Sequence, residues 1–183
     1  MAPEPFKQES LEHLSALYRL ARQLTGSHEA AGDLVQDAYL KALRACETYE
    51  ERGLGLRPWM FKILHNTFYS QARSSKDRKR ESDLLDTSAV SGETRPGQPP
   101  PAWDLASLDW EHVDERLRSS IKQLRPEYRT VLLLWGVEGM KYREIAAIAD
   151  VPIGTVMSRL HRARSILATE LEDLREELGI KLS

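Results

Sequence analysis

Apolar residues recur at three- and four-residue intervals along most of the chain, the spacing of helices that bury one face. Leu11, Leu14, Leu17, Tyr18, Ala21 and Leu24 form the first such stripe. Ser10 is placed to cap it and Gly26 to stop it. A second helix is predicted from about 28 to 46, with Ala31, Leu34, Val35, Ala38, Ala42 and Leu43 inward. The text GLGL at 53–56 breaks the pattern. Pro58 suits the first turn of a third helix, which carries Trp59, Ile63, Leu64, Thr67 and Phe68 and then turns basic. Further on, a helix is predicted over about 110–124. Pro126 opens the next, with Val131, Leu132, Leu134 and Trp135, and Gly136 or Gly139 ends it. A short helix over 142–149 and a long one from Thr155 to about 178 complete the series. No strand alternation stands out, so the predicted fold class is all-α. Helices this short need tertiary packing to persist.

Composition breaks once, at SDLLDTSAVSGETRPGQPPP, residues 82–101. Four of the nine prolines fall between Pro96 and Pro101. Proline fixes φ and removes a backbone donor, and the few apolar residues here cannot offset the entropy of ordering. The expectation is two small helical bundles, 1–81 and 108–183, joined by a flexible linker over 82–107. Residues 103–110 could dock on either bundle.

The chain has 183 residues and a net charge of −2, unevenly spread. Residues 57–82 hold seven Lys and Arg against two Asp and Glu, and residues 140–168 hold five against two. Local field, not net charge, decides where a polyanion binds. One cysteine, Cys46, excludes an internal disulfide and a cysteine-based zinc site; its helical position suits packing. The five histidines are scattered, with no metal-ligand spacing and no glycine-rich phosphate loop. No apolar run approaches the roughly 18 residues of a membrane span, and no secretory signal opens the chain. A cytoplasmic protein is expected.

Three segments carry candidate chemistry. The text YREIAAIADVPIGTVMSRLHRARSIL, residues 142–167, has the layout of a helix-turn-helix. Thr155 is placed to cap the second helix, which sets Ser158, Arg159, His161, Arg162 and Arg164 opposite its apolar stripe. Arginines there suit guanine edges or phosphates. They equally suit a solvated surface helix. In RPWMFKILHNTFYSQARSSKDRKR, residues 57–80, the aromatics Trp59, Phe61, Phe68 and Tyr69 alternate with cations. That suits single-stranded nucleic acid, while Trp59 and Phe68 at helical spacing suit a core. In GDLVQDAYLKALRA, residues 32–45, Asp33, Gln36, Asp37 and Lys41 share a polar face that suits solvent or a basic partner. A free-standing helix-turn-helix regulator and a helical protein-binding adaptor remain open on these residues alone.

In this order, the three segments resemble the extracytoplasmic-function sigma factors of bacterial RNA polymerase, of the sigma-70 family. The text DLVQDAYLKAL resembles the clamp-binding helix of region two, and RPWMFKILHNTFYSQAR the part that reads and melts the minus-ten element. The text from Leu124 to Leu167 resembles region four, which binds the minus-thirty-five element. The resemblance implies a non-enzymatic, cofactor-free alternative sigma factor. Its partners would be core RNA polymerase, promoter DNA and an anti-sigma factor, with no small-molecule substrate and no membrane insertion. It implies polymerase contacts at Asp33, Leu34, Gln36 and Asp37. It implies minus-ten contacts at Arg57, Asn66, Arg73, Lys76 and Arg78, with the loop from Tyr49 to Leu56 capturing a flipped base. It implies minus-thirty-five contacts at Thr155, Ser158, Arg159, Arg162 and Arg164. Met157 stands where some relatives carry a charge. The texts RPWMFKILHNTF and PIGTVMSRLHRAR are close to a redox-stress subgroup paired with zinc-containing anti-sigma proteins, which makes that partner class an expectation too.

Overall fold

The computed structural model describes residues 3–49, 54–80 and 115–178. The expected linker over 82–107 lies outside the described residues. Among those described, eight α-helices and one 3₁₀ turn make up the regular structure. The first half holds α1 (Glu4–Glu12), α2 (Leu14–Thr25), α3 (His28–Ala45), the turn Cys46–Thr48 and α4 (Leu56–Arg80). The second holds α5 (Glu115–Gln123), α6 (Pro126–Gly136), α7 (Tyr142–Ala149) and α8 (Ile153–Leu178).

The start of the chain differs from the expectation. Ser10 does not cap a helix but lies within α1, fully buried, with its hydroxyl donating to the Lys7 carbonyl at 2.8 Å. Pro3 at the N-cap and Pro5 in the first turn start α1 earlier, and the chain breaks at His13 before α2. Gly26, at φ +72°, ends α2 in the left-handed region, where a side chain would be strained. Ser27 then caps α3 by accepting from the Ala30 N–H at 3.4 Å.

The helix-turn-helix forms, with its second helix starting earlier than expected. Asp150, which ends α7, takes the left-handed conformation at φ 53°; Asp tolerates it as a single residue. Helix α8 begins two residues before Thr155. The Pro152 carbonyl accepts from the N–H groups of Thr155 at 2.9 Å and Val156 at 3.2 Å, so Thr155 sits inside the first turn rather than capping it.

The two halves share one contiguous core. Leu17, Leu20, Leu34, Met60, Phe61 and Leu64 meet Leu132, Leu133, Met140, Ile145 and Ile148 in a single cluster of buried side chains. Helix α4 packs on α3 and α7, and α2 on α3 and α6. Phe61 is 0% exposed, so it is a core residue and not a stacking platform for bases. Cys46 is buried, as expected.

Polar contacts tie the seam between the halves. Arg129 donates to the carbonyls of Leu24 at 3.2 Å and Lys122 at 3.0 Å. The Thr130 hydroxyl donates its proton to the Pro126 carbonyl at 2.9 Å, so Tyr69 is the donor in their 3.1 Å hydrogen bond. Glu138, on the connection between α6 and α7, meets Arg19 and Arg57.

Candidate nucleic-acid interface

Helix α8 buries Val156, Leu160, Ala163 and Leu167 and turns its other faces outward. Arg162 is exposed, and so are Ile153 and Met157. Ser158 is half-buried and donates to the Thr155 carbonyl at 3.0 Å. Arg164 does not project from the helix: its guanidinium lies over the Trp135 ring, 5.2 Å from the centroid. Cation–π contact and partial burial hold it against α6.

Arg159 turns towards α4. It lines a cleft of about 420 Å³ with His65, Asn66, Tyr69 and Arg73 of α4 and Glu127, Thr130, Asp150 and Val151 of the second half. Asn66 and Arg73 are exposed at its rim. Three cationic or imidazole groups against two carboxylates leave this cleft polar and mixed in charge. Arg57, expected at the minus-ten surface, is instead committed to Glu138, donating to its carboxylate at 3.1 Å and to its carbonyl at 2.8 Å. Lys76 and Arg78 lie in the last turns of α4, whose side chains are outside the described residues.

His65 lines this cleft from α4. Burial holds its imidazole below the ordinary value of about 6.5; a hydrogen bond to Asn66 opposes that shift, and the charges of Arg159 and Lys62 add to it. The folded form therefore binds this proton less readily than the unfolded chain. Its contribution to stability is full above about 6.5 and is lost as pH falls from there to the lowered value. A titration of the histidine ring signals should give a midpoint for His65 below 6.5, and His65→Gln should flatten the fall in melting temperature over that window. A midpoint at or above the ordinary value would contradict the burial assigned here.

A second recess, of about 170 Å³, is lined by Tyr49, Leu54, Gly55, Pro58, Trp59 and Lys62, with Ala147 of α7. Trp59 packs edge-on to Phe6 at 6.0 Å and tilted to Tyr49 at 5.1 Å. Part of the expected base-capturing loop, 50–53, lies outside the described residues.

On α3, Asp33, Gln36 and Asp37 are exposed, and Asp37 accepts from Gln71 Nε2 at 3.0 Å. Leu34 corrects the expectation: at 1% exposure it packs in the core and positions the face rather than touching a partner. Leu40, 43% exposed, lies one to two turns on from these residues and adds an apolar element that the stripe pattern did not single out. Glu138 was also missed, although a lone acid within the apolar text VLLLWGVEGM is a legible signal.

A family model for Sigma-70 region 2 matches residues 11–78, and one for Sigma-70, region 4 matches residues 114–167. The ECF RNA polymerase sigma factor EcfG of Rhodopseudomonas palustris is 33% identical over 169 residues, covering 92% of this chain and 86% of its own. The chain belongs to the ECF sigma factors. SigL of Mycobacterium tuberculosis, another ECF sigma factor, is 31% identical over 163 residues, covering 89% and 86% of the two chains. Among solved structures, the sigma factor RpoE of Bartonella quintana, in complex with the anti-sigma factor NepR, is 33% identical. Its TM-score is 0.71, over 93% of this chain and 98% of that one. CnrH, in complex with the cytosolic domain of CnrY, shares the fold at a TM-score of 0.60 and 22% identity, over 92% and 88%. In this sigma factor the region-two match holds Arg19 and Arg57, and the region-four match holds Glu138. The ion-paired seam thus joins the two regions.

Proposed function

We propose that residues 1–81 act as region two, residues 108–183 as region four and 82–107 as their linker, in a cytoplasmic alternative sigma factor that performs no covalent chemistry. Sigma factors bind core polymerase and direct it to promoters, and this chain is one of them. The observation that carries the reading is the ordered match of both regions to one chain, on helices that bear its two basic segments. Asn66, Arg73, Lys76 and Arg78 serve the minus-ten element. Arg159 and Arg162, with Thr155 and Ser158, serve the minus-thirty-five element, where exposed Ile153 and Met157 suit thymine methyl groups. Arg57 and Arg164 reach DNA only after leaving Glu138 and Trp135. Transcription in vitro with core polymerase and a promoter library tests the function. Transcripts from a defined promoter class are expected, and none above core polymerase alone would overturn it.

The polymerase face is proposed to be Asp33, Gln36, Asp37 and Leu40. Exposed carboxylates four residues apart share one side of α3. Asp33→Lys with Asp37→Lys should weaken binding to core polymerase at least ~10-fold, because reversed charges meet the same partner surface. Helicity and melting should change little. Unaltered co-purification with core polymerase would remove this face from the interface.

An anti-sigma factor is the third proposed partner. Support comes from the overall likeness to RpoE, a structure solved with NepR. Metal analysis of the purified complex decides whether the partner belongs to the zinc-containing class that the sequence text suggests.

A further inference from the structure

Glu138 is a buried carboxylate whose two cationic partners come from the other region. Its side chain is 1% exposed. Arg19 of α2 donates through Nε at 3.3 Å and Nη2 at 3.1 Å, one bond to each carboxylate oxygen. Arg57 of α4 donates to the same carboxylate at 3.1 Å and to the Glu138 carbonyl at 2.8 Å, with its guanidinium 5.4 Å from the centroid of the buried Phe61 ring. A carboxylate removed from water is strongly disfavoured unless it is paired and hydrogen-bonded. Gly139, at φ +63°, turns the chain beside it, a conformation that favours glycine. Both cations that meet the Glu138 side chain, Arg19 and Arg57, come from region two, so the pairing exists only while the regions touch.

The same contact turns the two proposed DNA surfaces towards each other. Asn66 and Arg73 line one cleft with Arg159. The minus-ten and minus-thirty-five elements are about 25 base pairs apart, ~85 Å of duplex at 3.4 Å per base pair. One cleft cannot serve both. Ala147 of region four also walls the aromatic recess beside Trp59. This arrangement is therefore a closed form, distinct from the promoter-engaged one.

We infer that Arg19, Glu138 and Arg57 form a latch that holds the free chain closed and that separates when the two regions spread over polymerase and promoter. The inference rests on the proposed sigma-factor reading and adds how that activity is held in check. Charged groups suit a reversible seam. Water solvates each of them well once they part, so the pair specifies the closed geometry without making it permanent.

The test uses the full chain alone, with spin labels at Glu29→Cys and His161→Cys, both exposed, and Cys46→Ala to leave two thiols. Pulsed electron resonance should show one narrow distance population. Glu138→Gln keeps the volume and removes the charge; it should raise the open-to-closed ratio at least ~10-fold, and Arg19→Gln should raise it by less. Circular dichroism checks that helicity is retained. A parent chain that is already open, or a Glu138→Gln distribution that matches the parent, overturns the latch. If Glu138→Gln does not fold, half-exposed Arg19 carries the test, and an unmoved Arg19→Gln distribution overturns it equally. Promoter-directed transcription is measured on the unlabelled parent, Glu138→Gln and Arg19→Gln chains, with the native residues kept at 29, 46 and 161. Distances that respond without any transcript leave the latch standing and remove the sigma-factor reading. Transcripts with unmoved distances remove the latch alone.

Discussion

Arg159→Ala should cost transcription from a promoter with the cognate minus-thirty-five element about 1–3 kcal/mol, a fall of ~5- to 150-fold. A promoter without that element should lose far less. Arg159 stands three residues after the buried Val156 and one before the buried Leu160, in the second turn of the helix that a helix-turn-helix sends into the major groove. A guanidinium there has the fork to pair with a guanine edge, and a lost base contact is felt only on the sequence that offered it. The cations near the end of α4, Lys76 and Arg78, belong to a run of neighbouring charges, KDRKR at 76–80. Such charges suit phosphate. Their removal should weaken all promoters alike and reduce the dependence on salt. Equal losses on both promoters after Arg159→Ala would show that Arg159 grips phosphate or holds the fold. Its place in the cleft with His65 supplies an internal control. Loss of its charge should let the His65 imidazole rise towards its ordinary value, since Arg159 contributes to the lowering. That shift reads the closed form, while the promoter ratio reads the DNA complex.

Phe61→Ala carries the largest expected loss of stability, about 3–5 kcal/mol. The ring is 0% exposed in a core that both halves build. Removing it takes away the transfer free energy of a large aromatic side chain and leaves a cavity that the packed helices close only in part. Against a total of about 5–15 kcal/mol for a typical protein, that is a large share. For a chain of this size the melting temperature should fall by ~2–4 °C for each kcal/mol. Arg57, whose guanidinium rests over the ring, should loosen with it. Phe68→Ala should cost clearly less, because Phe68 is only partly buried. Urea unfolding of the two variants decides the matter. An unchanged midpoint for Phe61→Ala, with promoter melting lost, would return the ring to a nucleic-acid role.

Much of the local structure was legible because it depends on short-range chemistry. Helices α6 and α7 run over the predicted spans, Pro126–Gly136 and Tyr142–Ala149. Proline opens the first, and the Glu144 side chain secures the second by accepting from the Lys141 N–H at 2.7 Å. The stop at Gly26 was legible for the same reason, since its left-handed φ favours glycine. Misreadings arose where two local signals competed. Ser10 has a capping residue's chemistry, but the prolines before it start α1 earlier, and its hydroxyl turns to the Lys7 carbonyl. Thr155 does not hold the capping position because α8 already starts at Ile153, and its own N–H, with that of Val156, bonds back to the Pro152 carbonyl.

The sequence by itself determined that the described residues are helical and that two stretches, 57–82 and 140–168, concentrate basic residues. Periodicity, proline and charge runs act over a few residues, and no fold is needed to read them. Only the tertiary structure decided which side of α4 is buried, and with it that Phe61 is core while Asn66 is exposed. It also decided that Leu34 is sealed inside α3's apolar face and that Arg164 lies on Trp135. Above all, it decided that Glu138 meets Arg19 and Arg57 across 119 and 81 residues of chain. Periodicity assigns a residue to a face but not to a partner. Which cation answers a buried carboxylate depends on how distant helices pack, and that is settled by the shape of the shared core.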